Sequence, residues 1–173
     1  MPRLENLLGA WSLTVTDRMT AVGTSAGLSG TDQAALVTVL AHPDHPVSWL
    51  GEVLGLTSSG ATRLVDRLVS SGWVGRTPGD DTRQRRLRLT RSGSALAKKL
   101  VGARGSVLAD SLAGLDATDR ATLEDILERL VGASTPDFLP AMRTCRLCDR
   151  GACRSGGRAC PLDHTVSESE VHA

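Results

Sequence analysis

The sequence predicts a mainly α-helical protein with one small β wing, on three observations. Apolar residues recur at helical spacing through most segments between turn signals. Aromatics are limited to Trp11, Trp49, Trp73 and Phe138, with no tyrosine, so the core must be leucine, valine and alanine. Such a core favours packed helices over stacked sheets. Finally, Val47 to Gly93 reads as helix, tight turn, helix, then a short arginine-rich hairpin. At 173 residues and 40% hydrophobic content the chain suits one domain, or one domain with a small appendage.

Leu4, Leu7, Leu8, Trp11, Val15, Met19 and Val22 predict a long first helix. Its apolar stripe is wide for a terminal helix, so it either lies across the domain or pairs with another subunit. The segment GTSAGLSG breaks it, and Thr31 is placed to cap a second helix through Leu36 and Leu40. His42, Pro43 and Pro46 end that helix. Ser48 is expected to cap a short third helix with Leu50, Val53 and Leu54 inward, and Gly55 suits the following turn. Thr57 or Ser58 caps the fourth helix. Its Ala61, Leu64, Val65 and Leu68 share one face, which leaves Ser58, Ser59, Thr62, Arg63 and Arg67 outside.

Gly72 stops the fourth helix. Trp73-Val74 and Leu87-Arg88-Leu89 read as two short strands joined by the turn TPGDDTRQR, with Arg83, Arg85 and Arg86 projecting from the wing. Thr90 caps a fifth helix with Leu96, Leu100, Ala103, Val107 and Leu112 on one side, weakened by Gly102 and Gly105. Asp116 caps a sixth, with Asp119 in its first turn and Leu123, Ile126, Leu127 and Leu130 repeating the helical face. Gly132 and Pro136 end it.

Net charge is only +1, yet Arg63 to Arg91 holds eight arginines against Asp66, Asp80 and Asp81. A segregated basic patch is the footprint of phosphate binding, although a solvated charged loop would look alike. Small hydroxyls and arginines at the start of an exposed helix suit insertion into a DNA groove. Gly60 should cost that helix up to about 1 kcal/mol; close backbone approach to DNA and neutral drift both account for it. No apolar run approaches the roughly 18 residues of a membrane span, and the N-terminus has no signal-peptide pattern, so a cytoplasmic protein is expected. No nucleophile elbow occurs and the acids lie mainly on helix surfaces, which argues against an enzyme.

The wing GDDTR, Gly79 to Arg83, followed by Leu87-Arg88-Leu89-Thr90-Arg91-Ser92-Gly93, resembles the multiple-antibiotic-resistance regulator (MarR) family of bacterial transcription factors. The likeness covers roughly residues 4–131. It implies a winged helix-turn-helix flanked by dimerisation helices: residues 1–30 and 94–133 dimerise, and 31–93 bind DNA. It further implies a homodimer on a pseudo-palindromic operator, with half-site centres about 10 base pairs apart. Thr57, Ser58, Ser59, Thr62, Arg63 and Arg67 would face the major groove. Arg83 would reach the minor groove, oriented by Asp81, with Arg85 and Arg86 beside it. Many members carry a second arginine where this chain has Thr82. Such regulators are usually repressors released by a small-molecule effector or by cysteine oxidation.

Residues 140–164 lie beyond the likeness and contain C-x2-C-x4-C-x6-C-P: Cys145, Cys148, Cys153 and Cys160, with His164 a substitute ligand. Five arginines from Arg143 to Arg158 would help hold thiolates deprotonated. The spacing suits an iron–sulfur cluster or structural zinc; a thiol switch and an unstructured tail remain open. Residues 165–173 are expected to be a disordered tail. The sequence thus reads as a regulator whose DNA affinity is modulated by a cysteine-ligated metal site. Two rivals are release by an organic ligand with zinc merely stapling the tail, and a metal-binding adaptor that contacts protein instead of DNA.

Overall fold

The computed structural model describes residues 2–24, 27–78 and 85–166. The first helix, α1 (Arg3–Thr24), leads into α2 (Gly30–Ala41), α3 (Val47–Leu54) and α4 (Ser58–Ser70). A two-stranded antiparallel sheet of β1 (Val74–Pro78) and β2 (Arg85–Leu89) follows, with Val74 opposite Leu89 and Pro78 opposite Arg85. The chain continues as α5 (Arg91–Ser111), α6 (Ala117–Gly132), α7 (Phe138–Cys145) and the single-turn α8 (Arg150–Cys153).

The core lies where α2, α3, α4, the sheet and α5 meet. Leu36, Leu50, Val65, Leu68 and Leu87 are fully buried there. Burying each such side chain stabilises by roughly 1.5–3 kcal/mol. The four residues expected to face inward on α4 do so, none more than 2% exposed.

Caps expected at Thr57, Thr90 and Asp116 are present, accepting from the amides of Gly60, Gly93 and Asp119. Two others move. The second helix is capped by Ser29, not Thr31, in a reciprocal box with Asp32 that satisfies two end donors together. The third begins after Pro46, and Ser48 falls inside it without capping. Proline lacks an amide and presets the extended backbone there. Both strands run longer than expected, because pairing carries on through Thr77 and Pro78. The wing tip, with Asp81, Thr82 and Arg83, lies outside the described residues, as do residues 167–173 of the expected tail.

Two glycines fix how the helices approach. A Cβ on Gly51 would stand 2.9 Å from the Ala61 Cβ, so α3 and α4 cross at glycine contact. A Cβ on Gly93 would lie 1.9 Å from the Trp73 carbonyl oxygen, which is why glycine follows the wing at the start of α5.

The flanking helices are unlike this core. On α1, Leu4, Leu7, Leu8, Trp11 and Leu13 are exposed, and α6 buries no residue at all.

Candidate functional site: a helix-turn-helix face and a thiol cavity

Gly55 ends α3 in the left-handed conformation, φ 67°, and the chain turns at once into α4. That turn sets the direction of α4, whose buried face locks it to the core. Ser58, Ser59, Thr62, Arg63 and Arg67 are left on the exposed side, as the sequence reading expected. Thr57 is committed to its cap, and the Thr62 hydroxyl donates to the Ser58 carbonyl at 3.0 Å, keeping oxygen lone pairs outward. Gly60 has a local reason: a Cβ would sit 3.1 Å from the capping Thr57 Oγ1.

Arg67 has a second duty that the sequence hides. Its Nε and Nη2 both donate to Asp32 Oδ1, at 3.1 and 2.6 Å, tying α4 to the start of α2. Asp32 is buried. Burial alone would raise its pKa, but hydrogen bonds from Ser29 and Arg67 bring it below the ordinary carboxylate value. Arg67 is therefore an anchor between α4 and the start of α2. Arg63 is exposed and forms no ion pair among the described residues.

Arg85 is exposed at the far end of β2. Arg86, expected to project, is half-buried where β2 bridges Pro46. The wing is fastened at its base: Arg88 pairs with Asp44, and the Asp44 amide donates to the Leu87 carbonyl at 2.9 Å. Arg76 pairs with Asp66 at 2.6 Å, joining wing to α4.

The cysteine segment is folded, not a loose appendage. Phe138 to Cys145 form a helix that the sequence reading missed. Pro140 sits in its first turn, where a missing amide costs nothing, and Ala141 and Met142 on its inner side are buried. Cys145, Cys148, Cys153 and Cys160 all line one cavity of about 590 Å³, together with His42, His45 and Trp49 of the α2–α3 region. His45 stacks on Trp49, ring centroids 3.9 Å apart.

All four cysteines are free thiols. Cys145 hydrogen-bonds to Cys148, which lowers the Cys148 pKa against the opposing effect of burial; Arg104 and Arg146 add to the lowering. The same bond raises Cys145. Such a donor set suits a soft or borderline cation. The thiols share a cavity without converging: among the described residues, no three histidine, cysteine or acidic side chains are arranged to hold an ion. The ring nitrogens of His164 lie 3.0 and 3.3 Å from the carbonyl oxygens of Pro161 and Thr135; a neutral imidazole donates to one of them, and that placement disfavours it as a substitute ligand.

His42 is pressed by burial and by the Arg150 guanidinium, and its pKa falls to about 4. Arg150 donates to its Nε2 at 2.6 Å. Among the described residues no helix is long and apolar enough to cross a membrane.

Residues 26–93 match the MarR family. Over that winged-helix segment the chain is similar to the MarR family. The chain is 30% identical over 108 residues to the transcriptional repressor MprA of Escherichia coli K12, spanning 61% of this chain and 61% of that protein's length. A MarR family protein of Bacillus stearothermophilus superimposes with TM-score 0.66 at 27% identity, over 73% of this chain and 89% of that one. A cysteine-to-serine mutant of Escherichia coli MarR, complexed with operator DNA, gives TM-score 0.56 at 25% identity, over 73% and 92%. The fold is the MarR winged helix, mostly helical with one small sheet.

Proposed function

We propose that this chain is a DNA-binding transcriptional repressor of the MarR type, a regulator and not an enzyme. It binds a pseudo-palindromic operator as a homodimer, and its affinity is set by a metal ion or iron–sulfur cluster at Cys145, Cys148, Cys153 and Cys160. One observation carries the DNA reading. The α4 helix is locked by a buried face and presents Ser58, Ser59, Thr62 and Arg63 outward, beside an arginine-bearing hairpin. The solved relative bound to operator DNA supports it. Dimerisation is supported by the apolar residues that α1 and α6 leave exposed, because a monomer in water rarely presents so broad a greasy surface.

The metal reading rests on four thiols facing one cavity, with the Cys148 proton already loosened. Anaerobic purification tests it: a brown protein with visible absorption indicates a cluster, and a colourless one with bound zinc indicates a zinc site. Protein that holds neither would exclude both. DNA binding is tested by titrating labelled duplex from the gene's own upstream region. A steep loss of affinity with salt is expected, log K falling by about 0.9 per phosphate contact for each decade. No shift at low salt, in either redox state, would exclude operator binding and favour a protein-binding adaptor.

A second reading, release by an organic effector, is favoured by one observation. A crevice of about 930 Å³ lies between α1, α2, α5 and the cysteine segment, lined by Met19, Ala34, Val101, Leu108, Leu147 and Cys148. In that case zinc would only brace the tail.

A further inference from the structure

The cysteine segment is fastened to the helix-turn-helix at the point where the reading helix takes its direction. Arg143 lies on α7, two residues before Cys145. Its Nε and Nη2 donate to the Glu52 carbonyl oxygen, at 3.3 and 3.1 Å, in the last turn of α3. That same carbonyl receives the Gly55 amide at 3.2 Å. The guanidinium also lies over the turn itself, for a Cβ built on Gly55 would stand 3.7 Å from its carbon. One side chain thus grips the end of α3 beside the glycine that launches α4.

The other fastenings are further from that turn. The Thr38 hydroxyl donates to the Arg146 carbonyl at 3.4 Å, and Arg150 reaches His42. Both hold the segment to α2. Only Arg143 reaches the α3–α4 junction among the described hydrogen bonds.

We propose that Arg143 is the positioning residue that carries the state of the thiol cavity to the reading helix α4. This rests on the reading that the thiols bind a metal and set DNA affinity. The cysteines share a cavity but do not converge, so a shared ligand must draw Cys145 and Cys148 toward Cys153 and Cys160. Cys145 closes α7. A helix moves as a rigid unit, with residues two apart separated by about 3 Å along its axis. Displacement at Cys145 is therefore felt at Arg143 and at the carbonyl it grips. Trp49, on α3, also lines the cavity, so the same helix meets the ligand site directly. In a dimer, a small change at each turn alters the spacing of two reading helices. The ligand then shifts a population between two DNA affinities.

The test uses the full chain with zinc(II) as probe. Affinity for duplex from the gene's upstream region is measured on zinc-loaded and chelator-stripped protein, for wild type, Arg143→Ala and Arg143→Lys. Zinc per chain and thermal melting are recorded on the same samples. Wild type is expected to differ between the two states by at least about fivefold, the low end of common couplings. Arg143→Ala should keep its zinc and its melting transition while the ratio falls to within about twofold of one; Arg143→Lys, retaining one donor, should recover part of it. An unchanged ratio in Arg143→Ala with zinc intact would overturn the role of Arg143 alone. A wild-type ratio of one would overturn the reading that the thiols set DNA affinity, and this inference with it. If Arg143→Ala failed to fold, the Arg143→Lys ratio decides: a ratio equal to wild type refutes the proposal, and an intermediate one supports it.

Discussion

Two helices of this chain carry nearly the same apolar pattern and meet opposite fates. On α4, Ala61, Leu64, Val65 and Leu68 are closed off by α2, α3 and the sheet. On α6, Ile126, Leu127 and Leu130 are 39%, 46% and 56% exposed. The sequences differ little in spacing, so the difference lies in what the fold brings against each face. The winged helix completes its core within one chain. The flanks do not, and α1 shares the condition, with Leu4 74% exposed. An apolar stripe left open at both ends of the chain marks a surface finished by something else, and we take it to be a second copy.

Breaking the completed half should cost most. Leu68→Ala is expected to remove about 2–5 kcal/mol of stability, read as a drop in melting temperature that does not depend on protein concentration. Gly93→Ala should cost about 1–3 kcal/mol, since the Trp73 carbonyl cannot yield without moving the wing. On the open half, Leu130→Asp should weaken self-association by about 2 kcal/mol or more, seen by sedimentation. The winged helix of that variant should keep its intrinsic stability within about 0.5 kcal/mol. If Leu130→Asp instead unfolded the chain at every concentration, α6 would belong to the core after all.

Smaller effects sharpen the contrast between α4 as core and α4 as surface. Arg63→Ala should weaken duplex binding by about 1–3 kcal/mol with no change in melting. Arg67→Ala should lower both, because it also releases buried Asp32.

A further effect concerns pH. His42 binds its proton less readily folded than unfolded, with pKa about 4 against an ordinary 6.5. Its contribution to stability is complete above about pH 6.5 and is lost as pH falls toward 4. Melting temperature should decline across that window, and His42→Asn should flatten the decline. A slope that His42→Asn leaves intact would assign it to other groups.

Much of the fold was legible because it is local. Thr57, Thr90 and Asp116 cap within three residues, and the α4 face follows from spacing alone. What escaped was set at a distance or by competition. Ser29 displaced Thr31 as a cap because Asp32 answers it reciprocally. The Arg67–Asp32 pair spans 35 positions, so an arginine that looked free for DNA is partly an anchor. Helix α7 was missed because Gly132 and Pro136 close the helix before it, while its own Pro140 falls in the first turn, where proline is tolerated. The cysteine spacing pointed to shared chemistry, and all four thiols do line one cavity, but spacing gave no sign that His42, His45 and Trp49 line it too.

Sedimentation velocity of the full chain, alone and with labelled upstream duplex, bears most directly on the paired-reader account. It should show a species of two 18.2 kDa chains that becomes, at low salt, two chains on one duplex. A single chain at micromolar concentration that leaves the duplex sedimenting unchanged would contradict it.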